Sequence, residues 1–201
     1  MPSLRTGEFA GQRNYGLIDP AIAPGKSAGP IILRSTPLSR LDSFIRRLEA
    51  QRACLNFAAQ AIRDLPGPVL ELGLGNGRTY DHLRELLPER EVFVFERELA
   101  AHPASLPDPA HLILGDIRST LTAARARLPG PAALVHSDIG TGDAARNAAL
   151  AAWLAETLPD LLAAGAWVIA DQPLHSARLV PQPPPKGVAQ ERYFLYRHDA
   201  K

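Results

Sequence analysis

Residues 69–79, Val-Leu-Glu-Leu-Gly-Leu-Gly-Asn-Gly-Arg-Thr, constrain the fold more than any other stretch of the chain. An apolar run passes directly into three glycines spaced two apart, and a helix-like segment follows. Glycines in such a turn let backbone approach a ligand closely, and the helix beyond presents unpaired N–H groups to it. The segment predicts a buried strand, a ligand-binding turn and a helix start in one passage.

The rest of the chain repeats that alternation. Short apolar runs at 92–95, 112–114, 133–135 and 167–170 read as buried parallel strands, and helical patterns lie at 79–87, 120–128 and 144–162. A run at 193–196, paired with Leu179-Val180, closes the chain as a hairpin. The expectation is a doubly wound α/β fold on a mostly parallel seven-stranded sheet, with ligands at the C-terminal strand ends. Before the first strand, Thr36-Pro37 or Ser39 with Asp42 three residues on gives a helix start. Leu41, Phe44, Ile45, Leu48, Leu55 and Ile62 then recur at helical spacing until Pro66-Gly67-Pro68. Arg52, one turn beyond Leu48, is expected on that apolar face, to meet a cofactor carboxylate or a structural acid. Residues 1–38 are rich in turn formers and are read as an arm or lid, or equally as a tail without a role; 39–201 form the catalytic domain.

Composition narrows the class. At 201 residues the chain suits one domain, and its 46% hydrophobic and 21% charged shares are those of ordinary globular proteins. No apolar stretch is long enough to span a membrane, and residues 1–16 lack the apolar core of a secretory signal, so the expected place is the cytoplasm and no membrane partner is expected. The lone Cys54 reads as small apolar filler. A net charge of +1 offers no footprint for nucleic acid. The charge is uneven: residues 1–63 hold 9 basic and 4 acidic residues, the remainder 13 and 17, as though a basic part capped an acidic site.

Glu71 narrows the ligand. A carboxylate two residues before the first glycine suits an ammonium group better than a pyrophosphate, and the third glycine comes one residue too early for the dinucleotide pattern. Glu96, directly after the second apolar run, is placed to take both ribose hydroxyls, with Arg97 flanking the nucleoside. The Glu-x-Gly-x-Gly-x-Gly segment resembles motif I of the class I S-adenosylmethionine-dependent methyltransferases, closest to a small set of bacterial members, over at least residues 39–173. The resemblance implies that Glu71, Gly73, Gly75, Asn76, Gly77, Arg78 and Thr79 surround the methionine part of the cofactor, released as S-adenosylhomocysteine. It also implies that Asp116, after Gly115, accepts from the adenine amino group while Ile117 lies against the ring. For Asp116 the alternative is a helix cap, although Ser119 and Thr120 could serve the next helix.

The fourth strand end, His136-Ser137-Asp138-Ile139-Gly140, is expected beside the reactive methyl. Asp138 is the first candidate for contact with acceptor and cofactor; His136 is a base or a hydrogen-bonded core histidine. The Asn/Asp-Pro-Pro-Tyr/Phe pattern of enzymes that methylate amide or nucleobase nitrogen is absent from this position. Asp171, in Asp171-Gln172-Pro173, resembles the strand end of metal-dependent O-methyltransferases. The expectation is no bound metal, with Mg²⁺ on Asp138, Asp171 and Gln172 as the alternative, and His175 as another candidate base. The leading reading is methyl transfer to a small molecule, possible at oxygen; a homo-oligomer is compatible with it. A non-catalytic nucleoside-binding module and a nicotinamide-dependent oxidoreductase are the other readings weighed.

Overall fold

A computed structural model describes residues 39–200, so the arm expected over residues 1–38 lies outside the described residues. The chain alternates as expected: α1 (Arg40–Ala61), β1 (Val69–Leu72), α2 (Arg78–Leu86), β2 (Val92–Glu96), β3 (Leu112–Leu114), α3 (Ile117–Ala123), β4 (Ala132–Ser137), α4 (Ala144–Thr157), β5 (Leu162–Ala170), β6 (Leu179–Gln182) and β7 (Phe194–His198). The seven-stranded sheet has the order β3-β2-β1-β4-β5-β7-β6. β7 alone runs antiparallel, between β5 and β6. Strand order reverses between β1 and β4, which pair in parallel register with Glu71 opposite His136 and Leu72 opposite Ser137. This is the switch point at which such sheets open a crevice.

Alternation along the strands divides the core. Val69, Val92, Val94, Leu134 and Ile169 pack with Cys54, Leu55 and Ala58 of α1, with Ile62 at its C-cap and with Leu83 of α2. Leu70, Leu72, Phe93, Phe95 and Val135 face the opposite way, against Leu121, Leu154 and Leu158. Cys54 is fully buried, and burial pushes its thiol up to about 11, so it behaves as an inert apolar side chain.

Ser39 caps α1 by accepting from the Asp42 N–H at 3.0 Å, one of the two expected starts. The inward stripe of this helix differs from the expectation. Leu41, Phe44, Ile45 and Leu48 are exposed, whereas Ala50, Gln51, Cys54, Leu55, Ala58 and Ala59 are buried. The packed face is thus built largely of small residues, and the first turns instead border a cleft. Arg52 is exposed on the other side of the helix, not on its packed face. Further on, α3 starts three residues earlier than expected, because Asp116 caps it through an N–H bond from Arg118 at 3.0 Å.

The end of α1 is closed by an arginine from a distant turn. Arg90 donates to the carbonyls of Ile62, Leu65 and Gly67 at 3.0, 2.8 and 2.7 Å, adding a charged donor to the helix end and its turn. Charged donors to such carbonyls contribute more than neutral ones. Arg90→Ala is expected to lower the unfolding free energy by about 2 kcal/mol, measured by urea denaturation with an unchanged m-value.

Candidate functional site

Two clefts meet at the C-terminal edge of β1 and β4. One, of about 290 Å³, is lined by Gly73, Glu96, Arg97, Asp116, Ile117 and Asn147 among others. The second, of about 190 Å³, lies under α1 between Phe44, Arg47, Gln51, Asn76, Arg78 and Thr79. Gly73, Gly75 and Asp138 belong to both. A larger cavity of about 1070 Å³ opens beside Pro66, Pro88 and Pro131 at the opposite, N-terminal ends of the strands. Ligands of such sheets bind at the C-terminal ends, so size does not select the site.

All three glycines of the turn have positive φ, and at Gly77, with φ +84°, an added Cβ would stand 2.5 Å from Cβ of Ser105. Gly73 has φ +91°, and a Cβ there would stand 2.5 Å from Cγ2 of Ile139. Gly75 has φ +51° with nothing within 4 Å of an added Cβ, so its backbone is open towards the clefts. Glu96 secures this turn from the next strand: one oxygen accepts from Leu74 and Gly75 N–H at 2.7 and 3.0 Å, the other from Arg97 N–H at 2.7 Å. Burial raises the pKa of Glu96, but these N–H groups outweigh it and hold the carboxyl below its usual range. It stands at the cleft as a fixed anion.

Glu71 does not line either cleft. It is fully buried, with Oε2 2.7 Å from Nδ1 of His136 and Oε1 accepting from the Thr79 hydroxyl. His136 is also fully buried, which makes it the hydrogen-bonded core histidine rather than an exposed base. Burial lowers its pKa, while Glu71 and, more weakly, Asp138 and Asp171 raise it, and the outcome is upward. The alternation that turns Leu70 and Leu72 towards one layer turns Glu71 towards the other, beneath α1 and α2.

Asp138 occupies the corner where the clefts join. Arg47 holds Oδ1 at 2.5 Å, and Oδ2 accepts from Gln51 at 2.8 Å and from the Tyr193 hydroxyl at 3.3 Å. Burial and the Asp138 charge push the Tyr193 hydroxyl upward, keeping it protonated as a donor. Sequence reasoning missed Arg47, Gln51 and Tyr193. The first two lie five residues and one residue before Arg52, and no local signal marks Tyr193, which reaches Asp138 across the sheet.

The loop after β4 is clamped by Asn147, which accepts from Thr141 N–H at 2.8 Å and donates to the Thr141 carbonyl at 2.7 Å. Asp171 accepts from Gly140 N–H at 2.9 Å and from Gln172 at 3.2 Å. Burial raises its pKa foremost, with Asp138 adding to the rise, against lowering by Gln172 and Gly140. Among the described residues no group of three or more His, Cys, Asp or Glu side chains is placed to hold a metal ion. His175 is exposed. Among the described residues, no helix is long and apolar enough to cross a membrane.

A family model described as S-adenosyl-L-methionine methyltransferase matches residues 38–198. The crystal structure of an S-adenosyl-L-methionine methyl transferase from Silicibacter pomeroyi DSS-3 is 45% identical, covers 80% of this chain and 99% of its own, and superposes with a TM-score of 0.76. The plantazolicin methyltransferase BpumL, solved with S-adenosylhomocysteine (SAH), is 14% identical over 64% of this chain and 49% of its own, with a TM-score of 0.45. No curated protein matches.

The buried pair gives a stability signature. Because Glu71 raises the folded-state pKa of His136 above the ordinary 6.5, the stabilisation is complete below that value and fades as pH rises through the raised one. Unfolding free energy is expected to fall above pH 6.5 with a slope of up to about 1.4 kcal/mol per pH unit, read from denaturant titrations. Glu71→Gln is expected to flatten that slope.

Proposed function

This chain belongs to the S-adenosyl-L-methionine methyltransferase family, and we propose that it methylates a small molecule, at oxygen, in the corner formed by Asp138. It is an enzyme, and its cofactor is S-adenosyl-L-methionine. The residues present suit that group. Two clefts join at an open glycine backbone; one carries two acids and an apolar side chain, Glu96, Asp116 and Ile117, for a nucleoside, and the other carries Arg47, Arg78 and Asp138 for the two charges of an amino acid. Asp116 caps α3 through Oδ1, and its second oxygen suits the adenine amino group.

Bound there, the cofactor supplies an electrophilic methyl on a sulfonium. The protein's task is to orient and desolvate the acceptor and to remove its proton. The observation that carries the reading is the position of Asp138, common to both clefts and held by three donors. Asp138 would hold the amino group of the bound cofactor and would accept the hydroxyl proton of an acceptor to which that cofactor supplies its methyl. Arg47, Gln51 and Tyr193 keep its carboxylate aimed at the corner. Asp171 uses one oxygen, Oδ2, to hold Gly140 and Gln172.

Calorimetric titration is expected to show binding of SAH and none of NAD. In a metabolite-extract screen with S-adenosylmethionine, the wild type is expected to release SAH with or without chelator, and Asp138→Ala to do so about 100-fold more slowly. Binding of NAD alone would sink the cofactor assignment, and silence across the screen with full SAH affinity would favour a non-catalytic module.

A further inference from the structure

The fully buried Glu71–His136 pair touches neither cleft, yet it adjoins the side chain that holds Asp138. Nε2 of His136 stands 3.4 Å from the amide nitrogen of Gln51, and that same nitrogen is 2.8 Å from Oδ2 of Asp138. A continuous line of polar groups therefore runs from half-buried Thr79 at the mouth of α2 through buried Glu71, His136 and Gln51 to the corner of the site. Each member has its orientation set by the previous one. Thr79 and the imidazole Nδ1–H donate to the two oxygens of Glu71; Glu71 fixes the ring; with the ring neutral and its proton on Nδ1, Nε2 and the Asp138 carboxylate accept the two N–H groups of the Gln51 amide and so fix its plane.

We propose that Glu71 and His136 are positioning residues for the methionine end of the cofactor, acting through Gln51 on Asp138 without touching the ligand themselves. The inference rests on the reading of Asp138 as the cofactor's amino-group partner. It gives the acidic residue of the glycine-turn segment a role that its spacing alone does not suggest. For Glu71 to meet an ammonium group directly, it would have to leave the imidazole buried with its Nδ1 unpartnered, a costly exchange. The Gln51 route avoids that cost, since Asp138 already lines both clefts. Buried polar chains of this kind hold a terminal group within the narrow limits that recognition of a small charged ligand demands.

A double-mutant cycle tests this with two probes, SAH and 5′-methylthioadenosine, which has the nucleoside and sulfur but no amino acid. Glu71→Gln is expected to weaken SAH roughly tenfold and leave methylthioadenosine within about twofold. In an Asp138→Asn background the same change is expected to weaken SAH by no more than about twofold. Gln51→Leu, which cuts the line while leaving the buried pair intact, is expected to repeat both results and stands as the test should Glu71→Gln fail to fold. Losses that multiply in the double variants would show direct contact or independent action and overturn the proposal. Equal losses for both probes would show a merely structural role and do the same, as would no loss of SAH affinity in either single variant. A wild-type protein that binds methylthioadenosine but loses no SAH affinity on Asp138→Asn would instead defeat the reading of Asp138, and the proposal with it.

Discussion

The structure turns on a carboxylate and an imidazole buried together between the sheet and its first two helices. Neither side chain could be carried into a core alone, since an uncompensated buried charge costs several kcal/mol even after relaxation. β1 and β4 lie side by side in a register that sets Glu71 opposite His136, and the same alternation turns both towards α1 and α2. Thr79 from α2 completes the carboxylate, and Gln51 from α1 approaches the far edge of the ring. Two neighbouring strands and the first two helices thus meet at one polar contact.

That contact lies beneath the switch point, and the site is assembled on top of it. The glycine turn leaves β1 and is tied sideways to Glu96 at the end of β2. Asp138 leaves β4 and is tied upward to α1 and across to Tyr193. Asn147 and Asp171 secure the loop that follows it. The acids at the strand ends are therefore unlike in use: Glu96 and Asp138 stand in the clefts, Asp171 holds backbone, and Glu71 is sealed within. A shared position at the crevice does not give a shared chemistry.

The strands, the glycine turn and the capped start of α1 are legible in the sequence, because each rests on local patterns of apolarity, glycine and capping residues. The face of α1 was not. Its packed stripe is made of Ala50, Cys54, Ala58 and Ala59, whose apolar signal is weak, while the larger Leu41, Phe44, Ile45 and Leu48 border solvent and the cleft. A reading led by bulk therefore places Arg52 inward and overlooks Arg47 and Gln51. Glu71 shows a different limit. Its spacing from the glycines is a property of the chain, but its partner is set by the neighbouring strand, and strand order emerges only with the sheet. Once β1 is placed beside β4, alternation alone puts Glu71 and His136 on one face.

The most direct test of this account is a crystal structure with SAH bound. The account predicts the ligand's amino group within hydrogen-bond distance of Asp138, with Glu71 still engaged by His136 and Thr79. A complex in which Glu71 has left His136 to meet that amino group, with Asp138 still held by Arg47 alone, would contradict it.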